Sequence, residues 1–152
     1  MARERLMVER KIWRQNHPAL FYCRPLKNPD KSTNIMIWEA GIPGETGTPW
    51  EGGMYKLNLK FSESFPQEPP MPCFVPVIFH PNVFPSGTIT SVPEFCNWES
   101  SKHLASLLLG IQRVLSCPDL LGAASKEPYE MYKNDRESYN LRIRQEARKY
   151  KI

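Results

Sequence analysis

The residues with chemistry to offer crowd into one segment, 80-HPNVFPSGTITSVPEFCNW-98. Within it stand an imidazole (His80), a carboxamide (Asn82), the hydroxyls of Ser86, Thr88 and Thr90, and the thiol of Cys96, set among three prolines and a glycine. The segment has neither a helical nor a strand period, and loops stiffened by Pro and Gly on a rigid scaffold often carry function. The obvious nucleophile is Cys96, because a thiolate is the reactive species that thiol chemistry needs. The other cysteines, Cys23, Cys73 and Cys117, form no C-x-x-C pair and no Cys/His spacing suited to a metal. Cys23 and Cys73 lie in strand-like runs and read as buried small hydrophobes, and all four thiols are expected to be free. Neither a metal nor an organic cofactor is expected, and no phosphate-cradling glycine loop occurs that would bind ATP.

The elements that must position this loop are legible from periodicity. Residues 2–16 read as an amphipathic helix carrying Leu6, Ile12 and Trp13, stopped before His17-Pro18. Strands follow at 20-LFYCRPL-26 and 34-NIMIWEAGI-42, separated by the turn formers of 27-KNPDKST-33. After the Pro/Gly loop 43–53 comes 54-MYKLNLKF-61, in which Tyr55, Leu57, Leu59 and Phe61 alternate with polar partners. A Pro-rich break at 66–72 leads to a short fourth strand over 73–79. Beyond the reactive loop the period changes. Leu104, Leu107, Leu108, Ile111, Val114 and Leu115 form the stripe of a helix over 103–115, ended by Pro118. From about Ser125 the pattern is helical to the end, with a kink expected near Pro128. The order predicts a single α+β domain over 1–152: a helix, a four-stranded antiparallel meander, then helices.

Composition agrees with a soluble domain: 152 residues with 41% hydrophobic and 24% charged content suffice for one core. The N-terminus MARERLMVERK is charged from its third residue and no apolar run reaches membrane-span length. A protein of the nucleus and cytoplasm is therefore expected, with no membrane partner. The net charge of +4 gathers in the first helix and in 142-RIRQEARKYK-151. Without a base-reading motif this argues for an acidic protein partner, or for plain solvated helix faces, rather than nucleic acid.

Taken together, 49-PWEGG-53, 65-FPQEPP-70, 80-HPN-82, Trp98 and 107-LLLGIQRVL-115 resemble the ubiquitin-conjugating (UBC) enzyme family over nearly the whole chain. Within it, 9-ERKIWRQNHP-18, 27-KNPD-30, 42-IPGETGTPWEGG-53 and 79-FHPNVFPSGT-88 are most similar to the SUMO-conjugating type. The resemblance implies the UBC fold and a chemistry in which a cysteine carries the modifier as a thioester and passes it to a lysine. It implies an activating enzyme, a SUMO-like modifier, and ligases or substrate proteins as partners. The chain itself would be a monomer or a heteromer with a pathway partner. Asn82 matches the family asparagine that supports an oxyanion or the loop; turn capping is its ordinary alternative.

At the nucleophile the match breaks. The family cysteine falls eight residues after that asparagine, and the eighth residue after Asn82 is Thr90. A hydroxyl is far less acidic than a thiol, and an oxygen ester is a poorer acyl donor to an amine. The family's acid near the incoming lysine aligns with Gly122, a tyrosine with Phe84, and the proline expected after Trp98 is missing from 98-WESS-101. Cys96, six residues past Thr90, is either a free loop thiol or a displaced nucleophile. By resemblance, Arg10, Lys11, Arg14 and His17 match the residues that bind SUMO non-covalently, with Arg10 and Arg14 one helical turn apart. Ser86 and Thr88 match substrate contacts, whereas a lysine of that surface is Met71. The expectation is a catalytically impaired, modifier-binding relative of the SUMO-conjugating enzymes. Its rivals are an enzyme active through Cys96 and an enzyme whose residue 90 has been altered from cysteine.

Overall fold

The computed structural model describes every residue from Met1 to Ile152. Helix α1 (Ala2–Gln15) precedes four strands, β1 (Tyr22–Lys27), β2 (Thr33–Pro43), β3 (Met54–Lys60) and β4 (Met71–Phe74). The strands pair in sequence order as one antiparallel meander, with a register shift between Pro25 and Leu26. Then come α2 (Pro93–Cys96), α3 (Leu104–Ser116), a single 3-10 turn (Leu120–Gly122), α4 (Lys126–Asn134) and α5 (Arg136–Lys149). This is the α+β order that the periodicity predicts.

Packing follows the alternation of the strands and the stripe of the helix. Tyr55, Leu57 and Leu59 of β3 and Trp38, Ala40 and Ile42 of β2 point into the core. All six apolar positions predicted for the third helix are buried against that face. The reason is the period: a two-residue repeat on a half-covered sheet and a 3.6-residue repeat on a helix each leave one apolar side to hide.

Three boundaries differ from expectation. The fourth strand begins at Met71, inside the Pro-rich stretch, and ends at Phe74. It is the edge strand, where the missing N–H of Pro72 is tolerated. Val75 still donates to Lys56 O at 3.1 Å, but Pro76 has no donor with which to continue the ladder. Near Pro128 there is no kink: Pro128 lies in the first turn of α4, where its absent N–H has no intrahelical acceptor to lose. The break falls at Asp135, which ends α4 and caps α5 by accepting the Ser138 N–H at 3.2 Å.

Helix α1 buries Glu9 rather than Ile12, which is only half-buried. The Glu9 carboxylate takes Arg5 Nε at 2.9 Å and His103 Nδ1 at 2.8 Å. Its second oxygen accepts the Leu104 N–H at 3.3 Å, capping α3, whose own N-cap residue offers no side-chain bond. Arg5 also donates to Ser100 O and Lys102 O, at 2.6 and 2.8 Å. One buried carboxylate thus joins α1 to the start of α3. Glu9→Ala leaves Arg5 and the α3 terminus without their partner and should cost about 3 kcal/mol, read as a lower urea midpoint with an unchanged slope.

Candidate functional site

Residues 80–92 build a hairpin against the sheet edge. Val83 bridges Ile89, Phe84 N–H donates to Thr88 O at 2.9 Å, and Gly87 N–H closes the turn onto Phe84 O at 2.8 Å. Gly87 sits at φ +97°, and a side chain there would run into the Phe74 carbonyl. The hairpin covers β4 through Phe74 N–H to Gly87 O at 2.8 Å and a Cys73–Thr88 bridge. Cys73, expected to be buried, is half-exposed here, and its thiol donates to Ser86 O at 3.3 Å. Edge-strand side chains on the solvent face are not covered by the core.

Below the hairpin the three residues of 80-HPN-82 grip the rest of the molecule. His80 is fully buried; its Nε2–H donates to Val114 O at 2.9 Å, while Nδ1 accepts the Asn82 N–H at 3.0 Å. A carbonyl only accepts and an amide N–H only donates, so the ring is the neutral tautomer protonated on Nε2. Burial pushes its pKa down to about 4. Pro81 O takes the N–H groups of Ala124 and Ser125, at 2.7 and 3.2 Å. The buried Asn82 carboxamide donates to Asp119 O at 2.8 Å and Gly122 O at 3.0 Å, and accepts the Asp119 N–H at 2.9 Å. Both amide protons are therefore engaged, and none is left for an oxyanion in this arrangement.

Thr90 is held directly against this clamp. Its N–H donates to Asn82 O at 2.8 Å and its hydroxyl to Gly122 O at 3.2 Å, with Ser91 Oγ 3.3 Å away. Neither an imidazole nor a carboxylate is among the partners of that hydroxyl. Ser91 takes a left-handed φ of 63°, unusual for a residue with a side chain, and its Oγ fills the space a side chain on Gly122 would need. A carboxylate does stand close by: Asp119 Oδ2 lies 3.4 Å from where a Gly122 Cβ would be. Asp119 was not evident from the chain, because only the 119–122 turn folds its side chain back toward Gly122.

Cys96 is not in a loop. Pro93, with its preset φ, opens the short helix α2, and Cys96 is its last residue, exposed and free. Glu94 of α2 pairs with Arg113 of α3 at 2.9 Å, and no hydrogen bond joins Cys96 to Asn82 or Thr90. The structure brings Thr90, Asn82 and Gly122 together and leaves Cys96 outside that set. Ser86 Oγ donates to Thr88 Oγ1 at 3.3 Å on the exposed hairpin, beside the exposed Phe84, and Met71 is exposed on β4.

The basic residues at the other end of the sequence meet in a separate groove of about 430 Å³. Arg10, Arg14 and His17 line it, joined by Arg24 and Lys27 from β1, while Lys11 lies outside. Helix α1 ends at Gln15, so His17 is positioned not by the helix but by stacking on Trp13, ring centroids 5.1 Å apart. The contribution of β1 was hidden because the strand period says nothing about which helix lies alongside. No group of three His, Cys, Asp or Glu side chains is arranged to hold a metal ion, and no helix is long and apolar enough to cross a membrane.

The His80 ring ties stability to pH. Its folded pKa is near 4 against 6.5 when unfolded, so the unfolded chain binds the extra proton between these values. Its contribution is whole above pH 6.5 and is lost as pH falls toward 4, by about 3 kcal/mol in all. Urea midpoints should fall across that window for the natural chain. His80→Gln, weaker at neutral pH, should lack that part of the slope.

Known proteins match this sequence over nearly the whole chain. Residues 5–147 fit the family described as Ubiquitin-conjugating enzyme. The SUMO-conjugating enzyme UBC9 of Caenorhabditis elegans is 42% identical over 152 residues, covering 99% of this chain and 92% of its own. The Sumo-conjugating enzyme ubc9 of Dictyostelium discoideum is 40% identical, covering 96% of this chain and 93% of its own. The SUMO-conjugating enzyme SCE1 of Arabidopsis thaliana is 38% identical, covering 99% of this chain and 95% of its own. With the helix, the four-stranded meander, the clamped 80-HPN-82 turn and these full-length likenesses in agreement, the chain belongs to the ubiquitin-conjugating enzyme family.

Proposed function

We propose that this chain is a SUMO-conjugating-enzyme-like protein that has given up efficient thioester chemistry and binds the modifier and its pathway partners. The observation that carries this reading is Thr90. It stands where Asn82 O and Gly122 O converge, and it presents a hydroxyl spent on a backbone carbonyl. Activating such a hydroxyl needs a base in contact with it, and its side-chain neighbour is another hydroxyl, Ser91. We read Asn82 as a brace that holds the 119–122 turn, since releasing an amide proton to an oxyanion would break a bond inside a buried cluster. Ser86 and Thr88, which match substrate contacts by resemblance, sit together on the hairpin, where a substrate can rest without being modified.

The binding half of the reading rests on the α1 groove. Arg10 and Arg14 make no ion pair within the chain. Such unspent cations, backed by Arg24 and Lys27, suit the acidic face of a SUMO-like modifier. Activity through Cys96 is the second reading, favoured by one observation: its thiol is exposed and free.

The discriminating experiment incubates the chain with activating enzyme, ATP and SUMO and resolves it on a non-reducing gel. No thiol-sensitive adduct is expected. An adduct that disappears in Cys96→Ser would overturn the inactive reading and establish the second one. Titration of SUMO into the same protein should show binding that Arg14→Glu weakens about tenfold, as loss of a charge pair at an interface does. Absence of binding would leave the family assignment standing and remove the function proposed.

A further inference from the structure

The basic run near the C-terminus takes no part in the α1 groove, and the fold turns it into a second one. Arg144 and Arg148 lie one turn apart on α5, with Lys151 just past the helix end, and all three are exposed. None of them enters an ion pair. The loop from Thr48 to Gly52 faces them across a groove of about 480 Å³ whose floor is the methyl group of the buried Ala147. The two walls are fixed to each other by main-chain bonds. Tyr150 O takes the Met54 N–H at 2.8 Å, Gly52 O takes the Ile152 N–H at 3.1 Å, and Gly53 bridges Lys151. The groove contains one carboxylate, Glu51, one of whose oxygens accepts the Gly47 N–H of its own loop at 2.9 Å. Three cations therefore face one carboxylate that is tied back.

We infer that this groove docks an acidic, extended segment of a partner protein, at a surface separate from the α1 groove. The two grooves share no lining residue. Four residues along a helix advance about 6 Å, close to the roughly 6.6 Å between side chains on the same face of an extended strand. Carboxylates at alternate positions of a bound strand thus fall in step with Arg144 and Arg148, and a guanidinium takes a carboxylate through two parallel bonds. A duplex nucleic acid is held instead by a broad cationic surface tracking many phosphates. Three cations in a slot that contains a carboxylate do not make such a surface.

The test uses the intact chain and a short fluorescein-labelled peptide with glutamate at alternate positions, its glutamine counterpart, and a DNA duplex as competitor. The glutamate peptide should bind and the glutamine peptide should not. Arg144→Glu/Arg148→Glu should weaken binding by about tenfold or more, while Arg14→Glu leaves it within about twofold. The milder Arg144→Gln/Arg148→Gln should act in the same direction, and amide NMR shifts should map to 48–52 and 144–151. The inference is overturned if the natural chain does not bind the glutamate peptide, or if the double variant binds it as tightly. It is equally overturned if Arg14→Glu removes the binding, or if the duplex displaces the peptide at equal charge.

Discussion

Everything near the candidate site hangs on the buried hydrogen bonds of 80-HPN-82. A polar group taken out of water must find a partner or cost about 1–3 kcal/mol, so a buried imidazole and a buried carboxamide dictate what surrounds them. His80 fastens the loop to the last turn of α3, Pro81 to the start of α4, and Asn82 to the 3-10 turn between them. The three-residue 3-10 turn between the two helices has no regular ladder of its own, and its geometry is held by the Asn82 side chain.

That clamp is built from the main chain and the buried side chains of 80-HPN-82. What Thr90 receives from it is a backbone bond to Asn82 O, which any non-proline residue at position 90 can make. The Thr90 hydroxyl adds a side-chain bond of its own, to Gly122 O at 3.2 Å. Beside it, Ser91 occupies the space next to Gly122, and Asp119 is drawn in by its own main-chain bonds to Asn82.

Charge is divided between the interior and the surface. Glu9 is buried, paired with Arg5 and hydrogen-bonded to His103, and spends itself on joining two helices. The cations that make no such pair, Arg10 and Arg14 at one end of the chain and Arg144 and Arg148 at the other, remain on the surface and line grooves. Paired charge inside holds structure; unpaired charge outside is available to partners.

The sequence by itself determined the order and type of the main elements, the core stripe of α3, the alternation of β3 and the family, because periodicity and local motifs are properties of neighbouring residues. Thr90 and Asn82 were marked by the resemblance of 80-HPN-82 and the positions after it to the family's motif. The sequence did not reveal Glu9 as a core residue, since its partners His103 and Leu104 lie more than ninety positions away. Nor did it reveal that α2 would carry Cys96, that Asp119 would turn toward Gly122, or that Arg24 and Lys27 would complete a groove begun on α1. The tertiary structure decided these, because each depends on which distant backbone groups a side chain meets once the chain has closed on itself.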